Sequence, residues 1–301
     1  MIKINSNFLD AYNNLGSLFK VLGEYQKAIS CFKKAIEIQS DHAGAYYNLG
    51  IVFNELGELQ KAISCFQKTI GIQSNHAGAY YNLGNAFREL EESKKAIGYY
   101  EKAIQINPNH AGAYNNLGNV FKDLGEHKKA ISCYEKAIQI NPNYAAAFNN
   151  LGNALKELGE YKKAMNCYKK TIQIQPNHVI AHNNLGVAFN ELGEYKKAIG
   201  CYEKAIQIDP NYAAAHNNLG KILGELNHVN EAKKSLFRSL FYLSVVCLKL
   251  ARKSKDKALE DSAFETYDKM VVGPIEKATK KVQEEFRNSL NNYMKTRKSS
   301  P

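Results

Sequence analysis

The stretch AGAYNNLGNVFKDLGEHKKAISCYEKAIQINPNY, residues 111–144, decides the fold. Ala111 to Leu124 is one amphipathic run, Gly125 breaks it, Glu126 to Ile140 is a second run, and Asn141-Pro142-Asn143 ends that one. Apolar residues three and four apart in both runs predict two consecutive helices. Gly125 suits the residue just past a helix end, where the backbone turns left-handed and a Cβ is costly. Pro142 cannot continue a helix.

The triplet Asn-Leu-Gly that begins at Asn116 recurs at Asn14, Asn48, Asn82, Asn150, Asn184 and Asn218, always 34 residues on. Seven repeats follow, at about 9–42, 43–76, 77–110, 111–144, 145–178, 179–212 and 213–246. A period of this length is the mark of a helical-repeat array, which grows along one axis without needing a larger core. Gly23, Gly57, Gly159 and Gly193 share the phase of Gly125, and Asn227 fits it; Glu91 does not, so that turn carries local strain of ~1 kcal/mol or takes a different form. Pro108, Pro176 and Pro210 share the phase of Pro142, with Ser40 and Ser74 in the first two repeats. Ala28, Ala62, Ala96, Ala130, Ala164, Ala198 and Ala232 hold one phase, and the Gly118 phase is glycine in all seven repeats. A glycine inside a helix costs ~1 kcal/mol relative to Ala, so its recurrence implies that paired helices approach closely there. Phe121 and Tyr134, with their counterparts, supply the large groups that fill the facing holes.

In residues 111–144 the order Tyr114, Leu117-Gly118, Phe121, Ala130, Tyr134, Ala137, Pro142 resembles the signature of the tetratricopeptide repeat family, and the resemblance extends over about 240 residues of the chain. It implies an all-α solenoid, a right-handed superhelix in which the first helix of each pair lines a concave groove. Residues 1–8 match the tail of a preceding second helix, a remnant repeat or lead-in. The seventh repeat departs at Leu236 and Ser239 and lacks a closing Pro, so its second helix is expected to run to about Leu250. Within 247–301 a weak helix over 258–271 and an amphipathic basic helix over 275–298 are expected, capping the apolar end of the solenoid.

The face of each first helix is rich in asparagine. Asn14, Asn48, Asn82, Asn116, Asn150, Asn184 and Asn218 form a ladder. One residue earlier lie Asn13, Asn115, Asn149, Asn183 and Asn217, with Tyr47 and Tyr81 in the second and third repeats, and three residues after the ladder lie Asn85, Asn119 and Asn153. Asn is only a middling helix former, so propensity does not explain the run. A carboxamide offers a donor and an acceptor. A row of them can pair with the backbone of an extended peptide, or can bond between neighbouring repeats and cap local carbonyls. The ladder resembles that of the tetratricopeptide superhelix of O-linked N-acetylglucosamine transferase, which implies a groove that grips peptide backbone. Family members that clamp a C-terminal carboxylate use Lys and Arg at phases that here read Gly44, Gly78, Gly112, Ala146 and Tyr47, Tyr81, Asn115, Asn149, so that clamp is not expected.

The formal charge is +11, with 27 Lys/Arg against 21 Asp/Glu in residues 1–246 and 13 against 8 in 247–301. Further along the first helices lie Lys20, Arg88, Lys122 and Lys156, and in the neighbouring phase Glu55, Glu89, Asp123, Glu157 and Glu191, a mixed face that argues against nucleic acid. The basic helix at 275–298 is the only membrane candidate. The longest apolar stretch, 241–248, is far short of a membrane span and no signal peptide is visible, so a cytoplasmic setting is expected. Cys31, Cys65, Cys133, Cys167 and Cys201 share one phase; equivalent atoms in neighbouring repeats fall ~10 Å apart, too far for a disulfide. They are expected as small, half-buried apolar groups. His42, His76, His110 and His178 share a phase with Tyr144 and Tyr212 and are expected to pack at the repeat junctions. His178 and His182 are four apart, but no third ligand is in register, so no metal and no cofactor are expected. No phosphate loop, nucleophile elbow or Ser-His-Asp order is present. The sequence points away from an enzyme and toward a protein-interaction scaffold that binds extended peptides through the asparagine ladder. The alternatives are the substrate-recognition arm of a larger enzyme such as a glycosyltransferase, and a structural solenoid that self-associates end to end.

Overall fold

The computed structural model describes residues 2–226, and within them every element is an α-helix. The expected second helix of the seventh repeat and the helices at 258–271 and 275–298 lie outside the described residues. The chain divides into two compact units, Met1–Leu158 and Gly159–Pro301. The first holds α1 (Ile2–Val21), α2 (Tyr25–Ile38), α3 (Ala43–Glu55), α4 (Leu59–Ile72), α5 (Ala77–Glu89), α6 (Ser93–Ile106), α7 (Ala111–Asp123), α8 (His127–Ile140) and α9 (Ala145–Glu157). The second holds α10 (Tyr161–Ile174), α11 (Val179–Glu191), α12 (Tyr195–Ile208) and α13 (Ala213–Glu225). In each unit a helix packs on the one before and the one after it in sequence, and successive first helices, such as α5 and α7, also touch.

The hairpins form because two small phases meet one large one. Ala28, Ala62, Ala96, Ala130 and Ala198 are fully buried, as are Phe32, Phe66, Tyr100 and Tyr134. Each of these rings lies directly over the repeated glycine of the partner helix. A Cβ on Gly16, Gly50, Gly84, Gly118 or Gly186 would stand 2.6–2.7 Å from the facing Phe32, Phe66, Tyr100, Tyr134 or Tyr202 ring. The close approach expected at that phase is therefore between a ring face and a bare backbone.

The turns that follow Phe19, Phe53, Phe87, Phe121 and Phe189 are closed by one bond pattern. Glu58 N donates to Phe53 O at 2.8 Å and Glu126 N to Phe121 O at 2.8 Å, with Gly57 and Gly125 at φ +74° and +75°. Glu91 makes the same turn, with Glu92 N donating to Phe87 O at 2.9 Å, while holding φ at 59°. The turn is retained and a residue with a Cβ bears the left-handed strain, so of the two outcomes expected there it is the strained one that occurs. Beside the turn, Glu24, Glu58, Glu92, Glu126 and Glu194 pair with Lys27, Lys61, Lys95, Lys129 and Lys197, which lie 4.9–5.5 Å above the Phe19, Phe53, Phe87, Phe121 and Phe189 rings.

The turns between repeats show why proline can be absent. At Ser40/His42 and Ser74/His76 a histidine caps the next helix; at Pro142/Tyr144 and Pro210/Tyr212 the cap bond is missing but proline is present; Pro108/His110 and Pro176/His178 have both. The corresponding Ser6/Phe8 has neither, and α1 runs through it unbroken from Ile2. Residues 2–8 are continuous with the first helix.

Candidate functional site

The asparagine face is built on α1, α3, α5, α7 and α9 in the first unit and on α11 and α13 in the second. Ladder residues recur 34 apart, and within each unit Asn48, Asn82, Asn116, Asn150 and Asn218 face the residue one position before their counterpart in the preceding repeat. Asn48 Nδ2 donates to Asn13 Oδ1 at 3.1 Å, Asn82 Nδ2 to Tyr47 OH at 3.3 Å, Asn116 Nδ2 to Tyr81 OH at 3.1 Å, and Asn150 Nδ2 to Asn115 Oδ1 at 3.1 Å. In the second unit Asn218 Nδ2 donates to Asn183 Oδ1 at 3.0 Å. From the fourth repeat a further bond appears: Asn116 Nδ2 also donates to Asn85 Oδ1 at 2.8 Å, and Asn150 Nδ2 to Asn119 Oδ1 at 3.1 Å.

A carboxamide nitrogen carries two hydrogens. Both are used at Asn116 and at Asn150, so the ladder residues stitch successive repeats together. Asn116 Oδ1 accepts from Asn115 Nδ2 at 3.1 Å, and Asn115 is buried. Asn184 accepts from Asn183 at 3.4 Å. Asn14 is exposed, and Asn153 is half-buried in the phase of Asn85 and Asn119. Asn149 is buried, and its Oδ1 has no hydrogen-bond partner among the described residues. Tyr47 and Tyr81 are half-buried and pack at a tilt against His76 and His110, with ring centroids 4.5 and 4.7 Å apart; burial raises the Tyr47 phenol.

The flanking Asn85 and Asn119 are held the other way round. Tyr100 OH donates to Asn85 Oδ1 at 2.8 Å, and Tyr134 OH donates to Asn119 Oδ1 at 2.8 Å. With the ladder bonds, each of these oxygens accepts two hydrogens, which fills its two lone pairs. Their Nδ2 groups have no partner among the described residues. Arg88 and Lys122 lie one turn after Asn85 and Asn119, as Lys156 does after Asn153 on α9, and Lys122 and Lys156 pair with Asp123 and Glu157 at 3.1 Å each.

The histidines do more than pack at junctions. His42, His76, His110 and His178 are N-caps: each Nδ1 accepts the backbone N–H of Ala45, Ala79, Ala113 or Ala181 at 3.0–3.1 Å. The sequence signal was their place immediately before each first helix, where Ser, Thr, Asp or Asn is the usual cap. His178 Nδ1 is occupied in this way, and His182 donates from Nε2 to the Pro176 carbonyl at 2.9 Å. Cys31, Cys65 and Cys167 are buried and Cys133 and Cys201 half-buried; burial pushes the thiols of Cys65, Cys133 and Cys201 up to about 11. Among the described residues no helix is long and apolar enough to cross a membrane.

Residues 118–159, 152–192 and 186–227 match a family model described as TPR repeat, and residues 7–75, 77–110 and 99–132 match models described as tetratricopeptide repeat. No curated protein matches the chain. Among solved structures it is similar to YrrB, described as a TPR protein with an unusual peptide-binding site, at 29% identity over 61% of this chain and 95% of that one, with a TM-score of 0.53. It is also similar to MamA, at 27% identity over 57% and 93% of the two chains, with a TM-score of 0.51. A protein of Pseudomonas aeruginosa, pilF, shares the fold at 21% identity over 73% and 99%, with a TM-score of 0.64. The chain belongs to the tetratricopeptide repeat family.

Proposed function

We propose that this protein is an interaction scaffold that binds extended peptide segments of partner proteins along the asparagine face of its first helices. The observation that carries this is the state of Asn85 and Asn119. Their oxygens are tied down from two sides, and their N–H groups are left without an internal partner on a half-buried face. A donor held in place at no further ordering cost is suited to bind an acceptor. The ladder residues Asn116 and Asn150 orient them, and Asn82, bonded to Tyr47, continues the frame toward the amino terminus. The similarity to YrrB, which has a peptide-binding site, agrees with this function. Backbone-directed binding also accounts for a face on which Arg88, Lys122 and Lys156 alternate with Glu89, Asp123 and Glu157 and no single charge dominates.

A photo-crosslinker tests the assignment. Benzoylphenylalanine is placed either at Lys122, on the asparagine face, or at Lys102, on the exposed side of α6, and the chain is irradiated with peptides selected from a random displayed library. Crosslinking at position 122 and not at 102 is the expected result. Equal crosslinking at both, or crosslinking at 102 alone, would place binding elsewhere.

A further inference from the structure

The internal bonds of the asparagine face decide which of its atoms remain for a ligand, and they sort them by repeat. Asn85, in the third repeat, has used both lone pairs of Oδ1 on Tyr100 OH and Asn116 Nδ2 and keeps its two N–H donors. Asn116, in the fourth, has used both N–H groups on Tyr81 OH and Asn85 Oδ1. It keeps one lone pair of Oδ1, the other taken by Asn115. The bonded pair Asn85–Asn116 therefore presents one donor group, the Asn85 Nδ2 with its two hydrogens, and one acceptor, the Asn116 Oδ1. The pair Asn119–Asn150 does the same one repeat later: Asn119 Oδ1 is filled by Tyr134 OH and Asn150 Nδ2, and Asn150 Nδ2 is spent on Asn115 and Asn119, leaving its oxygen. In the second repeat Ile51 occupies the phase of Asn85, so no such pair forms there. The charged neighbours Lys122 and Lys156 are matched by Asp123 and Glu157, which leaves neutral amide recognition as the dominant chemistry.

Resting on the peptide-binding function proposed above, the geometry points to a ligand read as one backbone amide per repeat, in the polyproline II conformation. Each donor–acceptor pair takes the C=O and N–H of the ligand backbone. Neighbouring pairs are separated by the packing distance of adjacent helices, ~10 Å. A polyproline II chain has three residues per turn at about 3.1 Å each, so the same side of the backbone returns every ~9 Å. A β-strand returns its side every two residues, ~6.7 Å, and falls out of step after one repeat. Two ligand residues three apart are thus held by their backbone, and the residues between them are free in both side chain and N–H. The ligand class is an extended segment, tolerant of proline at the intervening positions and intolerant of it at the two held ones.

The test uses the tightest fifteen-residue peptide selected from a random displayed library on the full chain, resynthesised with a single N-methyl group at each position in turn. Two sensitive positions three residues apart, each weakening binding by ~10-fold, are expected, the size of one lost hydrogen bond with its partner left unpaired. Sensitive positions two apart, or none, overturn the polyproline II assignment while leaving peptide binding intact. Failure to select any peptide overturns both. On the protein side, Asn85→Asp and Asn119→Asp keep the Oδ1 that Tyr100, Tyr134 and the ladder require and remove only the outward N–H groups. They are expected to melt like the wild type and to bind the selected peptide ~10-fold more weakly; unchanged binding would remove these two residues from the site. The N-methyl scan uses the wild-type chain, so it does not depend on either variant folding.

Discussion

Gly118 lies beneath the ring of Tyr134, so close that a Cβ on the glycine would stand 2.6 Å from Tyr134 Cε1. Gly98, in the interior of α6, has nothing within 4 Å of the same atom. The two glycines share a residue type and a helical setting and differ only in what faces them. Gly118→Ala should destabilise by ~1–3 kcal/mol through overpacking, despite alanine's better helix propensity. Gly98→Ala should stabilise by ~0.5–1 kcal/mol. Urea denaturation of the two variants should therefore move in opposite directions. Movement in the same direction would mean that the ring contact does not set the requirement for glycine.

Glu91 carries a left-handed φ of 59° at the place where Gly23, Gly57, Gly125, Gly159 and Gly193 serve the other turns. Glu91→Gly removes the Cβ clash but lets the unfolded chain gain entropy. A net gain of about 0.5–1 kcal/mol is expected, read as a raised thermal midpoint. A lowered midpoint would show that the Glu91 side chain contributes more than its backbone costs.

Burial lowers the pKa of His76 and His110 below the ordinary 6.5, and each Nδ1 must be unprotonated to accept its helix-capping N–H. A base whose pKa is lower when folded favours the neutral form in the fold. Its contribution is complete above the unfolded value of about 6.5 and is lost as pH falls from there through the folded pKa. The urea midpoint should therefore fall between pH 7.5 and 5.5, with each cap worth ~1 kcal/mol. The double variant His76→Asn, His110→Asn caps without titrating in this range and should show a flatter profile. Identical profiles would exonerate the caps.

The thiols of Cys65, Cys133 and Cys201, pushed up to about 11 by burial, are almost wholly protonated at pH 8. Iodoacetamide attacks the thiolate, so labelling should be slow in the native chain and fast in urea. Rapid native labelling of any of the three would mean that its repeat opens far more readily than its packing implies.

Much of the fold was legible because its causes are local or strictly periodic. The Gly118, Ala130 and Tyr134 phases recur every 34 residues, and a hairpin that places a ring on a glycine needs them at that spacing. The Gly125 turn follows from one residue's freedom at positive φ. The role of the histidines was less visible, because His seldom caps a helix and its ring also suits a packed junction. Only the backbone at Ala45, Ala79, Ala113 and Ala181 shows which use prevails.

By itself the sequence determined the repeat, the helix pairs and the row of asparagines, since these follow from spacing and side-chain size. The tertiary structure decided where each amide hydrogen goes. An asparagine can satisfy a neighbour or a ligand equally well, and the choice depends on distances of about 3 Å between residues 31 or 35 positions apart, such as Asn116 to Asn85 and Asn150 to Asn115. Those distances are set by how neighbouring helices pack. No single repeat contains them, and that is why the frame-forming Asn116 and the outward-facing Asn119 look alike in the sequence and differ in the fold.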